Sequence, residues 1–272
     1  AMLAKVYAEK EVQDYDKVIT YADKVIKTTG VELEDSYETL WGYDETTKDC
    51  LKRNTKEGIL EVHWTTGSGN WETWMYGRQL DNWDYYFTWA KWITPSRDII
   101  NDFEKEGDEI RKNQAIVYYA CTWSNYYPAS NYPFMYKLRS SYSNIYWIRL
   151  ADIILMKAEA EAYKGNLDES TKLVNQIRKR AKLKELTSDK TNSKEAMIEA
   201  VLHERRLELA FEGERWFDLC RNNKVEKYLN GIDNRDKGRI KQVKLFDSNS
   251  YLLPIPQTAL DQNTNLEQNP GY

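Results

Sequence analysis

The sequence predicts a mainly α fold: antiparallel helix pairs that carry long aromatic-rich loops and a few short strands. Three observations lead there. Apolar residues recur at i, i+3, i+4 spacing near the N-terminus and again over residues 147–229. Between those stretches the helical period gives way to brief alternation, then to a run dense in Trp and Tyr. The chain also holds 10 Trp, 20 Tyr and 6 Phe among its 272 residues. That apolar mass lets it fold despite 30% charged residues and a mean hydropathy of −0.77, since disordered chains lack the means to offset chain entropy.

Residues 1–30 read as a helical hairpin. Met2, Leu3, Val6 and Tyr7 lie on a face of the first helix, which also carries Ala4. Asp14 or Asp16 caps the second, where Val18, Tyr21, Ala22, Val25 and Ile26 keep helical spacing and Gly30 provides the stop. Residues 31–146 form a different region. Alternation over residues 59–64 (ILEVHW) predicts a strand, followed by a polar loop at 65–70 (TTGSGN) and an aromatic stretch holding Trp71, Trp74, Tyr76, Trp83, Tyr85, Tyr86, Phe87, Trp89 and Trp92. Pro95 opens a short helix over 95–105, and a tyrosine-rich irregular segment runs from 117 to 146.

Helices return at 147–229. A helix over 147–164 sets Leu150, Ile153, Ile154 and Met156 against small Ala151, Ala158, Ala160 and Ala162, and Gly165-Asn166 breaks it. A second covers 167–182, a third 193–212 ending at Gly213, and a fourth starts near Glu214. Two helix–turn–helix pairs of about 34 residues, with small residues where helices approach, follow the tetratricopeptide pattern. The region 230–272 reads as loop, punctuated by Pro254, Pro256 and Pro270. The chain is expected to be one domain over 1–272.

Charge and motifs exclude several classes. With 39 basic and 43 acidic residues the net charge is −4, and no basic block suited to a phosphate backbone is present, so nucleic acid is not an expected partner. No apolar run approaches the ~20 residues of a membrane span, and the N-terminus shows no export signal. Cys50, Cys121 and Cys220 lack the spacing of a zinc site or disulfide framework. His203-Glu204 is followed by Leu207 at i+4, so the zinc-protease pair is incomplete. His63 stands alone in a strand, without a Ser-His-Asp or Cys-His constellation. Asp44, Glu45 and Asp49 lack EF-hand spacing, and the 65–70 loop has no phosphate-loop lysine. No cofactor is expected.

Three blocks carry a resemblance. The first is residues 149–162 (RLADIILMKAEAEA) with 175–178 (NQIR) and Arg180-Ala181. The second is residues 204–209 (ERRLEL) with 211–213 (FEG), 215–219 (RWFDL) and Arg221. The third is residues 253–256 (LPIP) with 268–272 (QNPGY). In this order they resemble the SusD/RagB family. The resemblance implies a surface-exposed outer-membrane lipoprotein that binds oligosaccharides or other nutrients and sits as a lid on a SusC-type TonB-dependent transporter. It covers the second half to two thirds of a typical member. The N-terminal part of the family fold, with its signal peptide, lipid-bearing cysteine and first repeat, is expected to lie outside this chain, so any membrane contact runs through a lipid anchor absent from it.

The family places ligand-stacking aromatics in loops between repeats, and the aromatic stretch here occupies such a place. Sugar C–H faces lie flat on indole and phenol rings, while hydroxyls need polar partners beside them. The candidate ligand-binding residues are Trp71, Trp74, Tyr76, Arg78, Asp81, Asn82, Trp83, Tyr85 and Tyr86. The Glu/Arg cluster at 204–218 reads instead as a structural ion-pair network, because arginines threaded among acids at i+1 to i+4 keep carboxylates charged and unfit as general acids. Two alternatives remain: a repeat scaffold without a ligand site, and an all-α glycoside hydrolase using Glu72, Asp81 or Asp84.

Overall fold

The structure, a computed structural model, describes residues 1–47, 49–64, 71–77, 93–122, 126–140, 142–239 and 241–272, and of Trp71 and Trp74 the backbone alone. The N-terminal hairpin is present as α1 (Met2–Ala8) and α2 (Tyr15–Ile26). Asp14 caps α2 by accepting the Lys17 amide at 3.1 Å. The helix stops four residues before Gly30, because Thr28 takes both the Lys24 carbonyl through its hydroxyl and the Val25 carbonyl through its amide.

The middle region begins with α3 (Tyr37–Trp41) and the two-residue pair β1 (Tyr43–Asp44) and β2 (Asp49–Cys50). Then follow β3 (Gly58–Val62), α4 (Trp71–Tyr76), α5 (Arg97–Glu106) and α6 (Glu109–Ala115). Ser96, not Pro95, caps α5 by accepting the Ile99 amide. The tyrosine-rich segment is more regular than its sequence suggests. β4 (Ile116–Tyr119) pairs antiparallel with β5 (Tyr132–Met135), and β6 (Ile145–Arg149) pairs antiparallel with β3. Residues 147–149 therefore belong to a strand: Tyr146 and Ile148 face inward, Trp147 is 62% exposed, and helical spacing starts only at Leu150.

Four helices complete the repeat region: α7 (Leu150–Lys164), α8 (Leu167–Arg180), the single turn α9 (Ser188–Thr191) and α10 (Lys194–Glu208). Beyond them lie α11 (Arg215–Arg221), α12 (Val225–Leu229), α13 (Ile232–Arg235) and α14 (Gln257–Gln262), so the C-terminal region holds short helices within its loops. Among the described residues no helix is long and apolar enough to cross a membrane.

α7 is the central helix, buried nearly all round. Its Leu150, Ile154 and Leu155 pack with Val174 and Ile177 of α8 and Val201 and Leu202 of α10, each such side chain contributing roughly 1.5–3 kcal/mol. Gly165, at φ +85°, turns the chain from α7 into α8, a left-handed conformation that suits glycine. On the opposite side Ala4 and Ala8 of α1 pack with Met156 and Ala160. Only small residues fit that approach, which explains why Met2, Leu3 and Val6, the larger residues of the expected face, stay about half exposed.

The charged cluster joins the middle region to the repeats. Arg111, Lys137, Arg149, Arg178 and Arg180 meet Glu57, Asp108, Glu204, Glu208 and Glu212, all of them buried except Arg180 and Glu212, which are partly so. Arg149 reaches Glu208 at 2.6 Å and Glu57 at 2.7 Å, while Arg111 reaches Glu204 at 2.7 Å. Apart from Asp108–Arg111 at the start of α6, the pairs do not run along one helix, as i+1 to i+4 threading implies. Carboxylates of α10 find arginines on α6, α8 and β6, and Arg206 turns outward to Asp98 and Asp102. The network also ends α10. The Glu208 carbonyl accepts from Tyr37 Oη, Lys137 Nζ and Arg149 Nη2, so the Glu212 amide bonds Leu209 instead and the helix stops before Gly213.

These pairs give stability a pH signature. Burial alone would raise the Glu208 carboxyl, but Arg180, Arg149 and Arg111 outweigh it and hold the group well below the usual range. His203, with Arg178, draws Glu106 down to about 2, and Glu199 falls to about 2 because Lys227, Tyr228 and Lys224 outweigh its burial. Asp108 runs the other way, raised because burial exceeds the pull of Arg111. Acids with depressed values contribute stability that is present above the ordinary carboxylate value and lost as pH falls toward the depressed one. The melting temperature is therefore expected to be flat from pH 7 to about 5 and to drop between about 4.5 and 2. Circular dichroism melts across that range test it; a drop already complete at pH 5 would refute the assignment.

Candidate ligand-binding site

The aromatic stretch is fixed at both ends to one strand. At its start, α4 closes with the Gly77 amide on the Thr73 carbonyl at 2.9 Å, and Gly77 bridges Met135 at the end of β5. A Cβ at Gly77 would lie 2.1 Å from the Leu138 carbonyl oxygen, so the approach requires glycine. At its return, the Thr94 hydroxyl donates to the Pro133 carbonyl of the same strand at 3.0 Å. The chain between thus leaves and rejoins β5 two residues apart, beside Tyr118 and Tyr119 of β4, each more than a third exposed.

A cleft of about 300 Å³ opens at the return end, lined by residues 93–97, Tyr126, Tyr127, Asp236 and Arg239. Arg97 organises it. Its guanidinium donates to Asp236 at 3.1 Å and to the Tyr126 carbonyl, and lies 4.1 Å from the centre of the Tyr127 ring. Tyr127 donates to the Pro95 carbonyl at 2.7 Å and packs edge-on to Tyr132. Burial, reinforced by the Asp236 charge, pushes the Tyr127 hydroxyl up, so it stays a donor at neutral pH. The cleft thus sets aromatic surface beside a charged pair and exposed Arg239, groups able to stack on a ring and bind its hydroxyls.

Of the residues expected to bind ligand, Trp71, Trp74 and Tyr76 sit in α4, a helix the sequence reading had taken as loop, and the Tyr76 side chain is partly buried. Arg78, Asp81, Asn82, Trp83, Tyr85 and Tyr86 lie outside the described residues, as do Asp81 and Asp84 of the hydrolase alternative. Arg97, Tyr126, Tyr127, Asp236 and Arg239 were not singled out from sequence. The tyrosine-rich character of 117–146 signalled two of them; nothing local marks Asp236, which reaches Arg97 from 139 residues away. Among the described residues no group of His, Cys, Asp and Glu is arranged to hold a metal ion.

Comparison with known proteins agrees with this architecture. The SusD family model matches residues 130–272. A SusD-like protein, P38, of Formosa agariphila is 36% identical over 136 residues, 48% of this chain and 25% of that protein. Among solved structures, surface glycan-binding protein A from Bacteroides thetaiotaomicron superposes with a TM-score of 0.72 at 17% identity, over 98% of this chain and 62% of that one. A laminarin-binding SusD-like protein gives 0.70 at 23% identity, over 100% and 61%. The match thus spans a quarter of the curated relative and about three fifths of the solved chains. With over half of its residues matched by the family model and the tetratricopeptide-like helices in place, the chain belongs to the SusD family.

Proposed function

We propose that the chain binds oligosaccharide or polysaccharide at the bacterial cell surface, without chemical change, for passage to a SusC-type TonB-dependent transporter. The observation that carries the reading is the anchoring of both ends of the aromatic stretch to β5, next to the Arg97–Tyr127–Asp236 cleft. Aromatic rings offer large contact area at little entropy cost. The same fold in a laminarin-binding protein and a surface glycan-binding protein supports the ligand class. The described carboxylate of the cleft, Asp236, is bonded to Arg97, which fixes it beside the Tyr127 ring as a binding group.

The test follows tryptophan fluorescence and released reducing ends together while the protein is incubated with a panel of glycans, laminarin included. A saturable change without new reducing ends is expected. New reducing ends would overturn the non-catalytic reading, and silence across the panel would overturn glycan binding itself. Trp83→Ala is expected to weaken the identified glycan by ~1–3 kcal/mol with the melting temperature unchanged. An unaltered dissociation constant would remove Trp83 from the site.

A further inference from the structure

A second cleft, of about 360 Å³, lies on the other side of the 94–96 segment, between α5, α10, α11 and the α12–α13 pair. Its surface is largely apolar, contributed by Ile99, Leu209, Ala210, Leu229 and Ile232, with Trp216 and Tyr228 as aromatic walls. Three arginines reach it, and their partners differ. Arg205 is held by Asp152 at 2.7 Å and Asp218 at 2.9 Å. Arg206 is held by Asp98 at 2.8 Å and Asp102 at 2.5 Å. Arg215 has no carboxylate within ion-pair distance among the described residues. It donates to the Leu202 carbonyl at 3.0 Å and lies 4.8 Å from the centre of the Tyr228 ring.

We propose that this cleft is a separate ligand site for a small organic acid, with the carboxylate on Arg215 and an apolar body between Trp216, Tyr228 and Ile232. Charge complementarity selects the acid: a guanidinium presents five donors, and one carbonyl leaves most of them to be satisfied. Burial, and then the positive charge of Arg206, push Arg215 down to about 10, more than the charges of Asp218 and Asp102 offset. The apolar walls select the body. A polyhydroxylated sugar acid would leave hydroxyls without partners against Ile99, Leu209 and Leu229, at a cost for each, whereas an alkyl or aryl chain gains from the same surface. A charge-assisted, two-pronged contact of a guanidinium with a carboxylate is the geometry arginine favours. The site is independent of the glycan reading; it shares with that cleft only the wall formed by Thr94 and Ser96.

Calorimetry with 3-phenylpropionate, and with its uncharged amide as the control ligand, tests the proposal on the intact chain. The acid is expected to bind saturably and the amide at least tenfold more weakly. Arg215→Gln, which keeps a donor for the Leu202 carbonyl, should lower the affinity for the acid at least tenfold, and Ile232→Trp, which adds bulk to the apolar wall while keeping the arginine, should do the same. Phe217→Ala, at an exposed residue outside the lining, should leave it unchanged. No binding of the acid, equal binding of the amide, or survival of binding in a folded Arg215→Gln or Ile232→Trp protein would each overturn the assignment. If Arg215→Gln fails to fold, the Ile232→Trp variant and the amide decide the matter.

Discussion

Replacing Glu208 with alanine is expected to destabilise the chain by about 3–5 kcal/mol, the usual cost of breaking a buried ion pair from one side. The Glu208 carboxylate receives Arg149 at 2.6 Å and Arg111 at 3.2 Å, and Arg180 as well. Alanine would leave Arg111 and Arg149, both essentially inaccessible to solvent, with fewer carboxylates than the network needs. A domain holds only about 5–15 kcal/mol in total, so the variant should melt roughly 10 °C lower. Denaturant titration gives the number directly, and a loss below about 1 kcal/mol would mean that these groups do not depend on one another. Backbone effects at the end of α10 should be small, since the Glu208 carbonyl keeps its three side-chain donors in the variant.

Gly77→Ala is expected to cost about 3 kcal/mol, the upper end for forcing extra atoms into a packed site. The obstacle is the Leu138 backbone oxygen, 2.1 Å from the new Cβ, which unlike a side-chain tip has no rotamer to escape into. Relief requires moving α4 away from the chain that follows β5, and with it one of the two anchors of the aromatic stretch. Glycan affinity should therefore fall together with stability. By contrast, Gly30→Ala meets no atom within 4 Å and should leave affinity alone, its cost being confined to the left-handed backbone at that position. Equal affinity in the Gly77→Ala and wild-type proteins would detach the anchor from binding.

The helices were legible in the sequence because their apolar spacing is local. Residues 150–164, 167–180 and 194–208 announce themselves by period, and α2 by its cap Asp14, which accepts the Lys17 amide. What eluded the sequence depends on partners far along the chain. Trp147 and Ile148 read as the first turn of α7 until β3, some 90 residues earlier, claims them as a strand. The expected helix over 193–212 runs four residues past the observed end of α10, because nothing local reveals that three distant donors occupy the Glu208 carbonyl. Glu204, Arg205, Arg206, Glu208 and Asp218 of the charged cluster do form ion pairs, with partners other than the expected i+1 to i+4 neighbours, since those neighbours are visible in a sequence and tertiary ones are not. The site divides the same way. The aromatic density at 71–92 drew the ligand expectation to that stretch, most of which lies outside the described residues, whereas Arg97, Tyr127 and Asp236 form a cleft only once α5, the β4–β5 connection and the segment after α13 converge.

The charge network has a kinetic consequence as well. Its members run from Glu57 to Glu212, and apart from the local Asp108–Arg111 pair they reach bonding distance only after segments well separated in sequence have met. A half-assembled set would hold desolvated charges without counterions, a state costlier than leaving all of them in water. Assembly is therefore expected to come after the main barrier, when α7, α8 and α10 have already docked. Removing a member such as Glu57 should then speed unfolding while hardly slowing refolding. The same ordering makes the network a checkpoint: Lys137, two residues past the end of β5, meets Glu212 only in chains whose repeats have already folded.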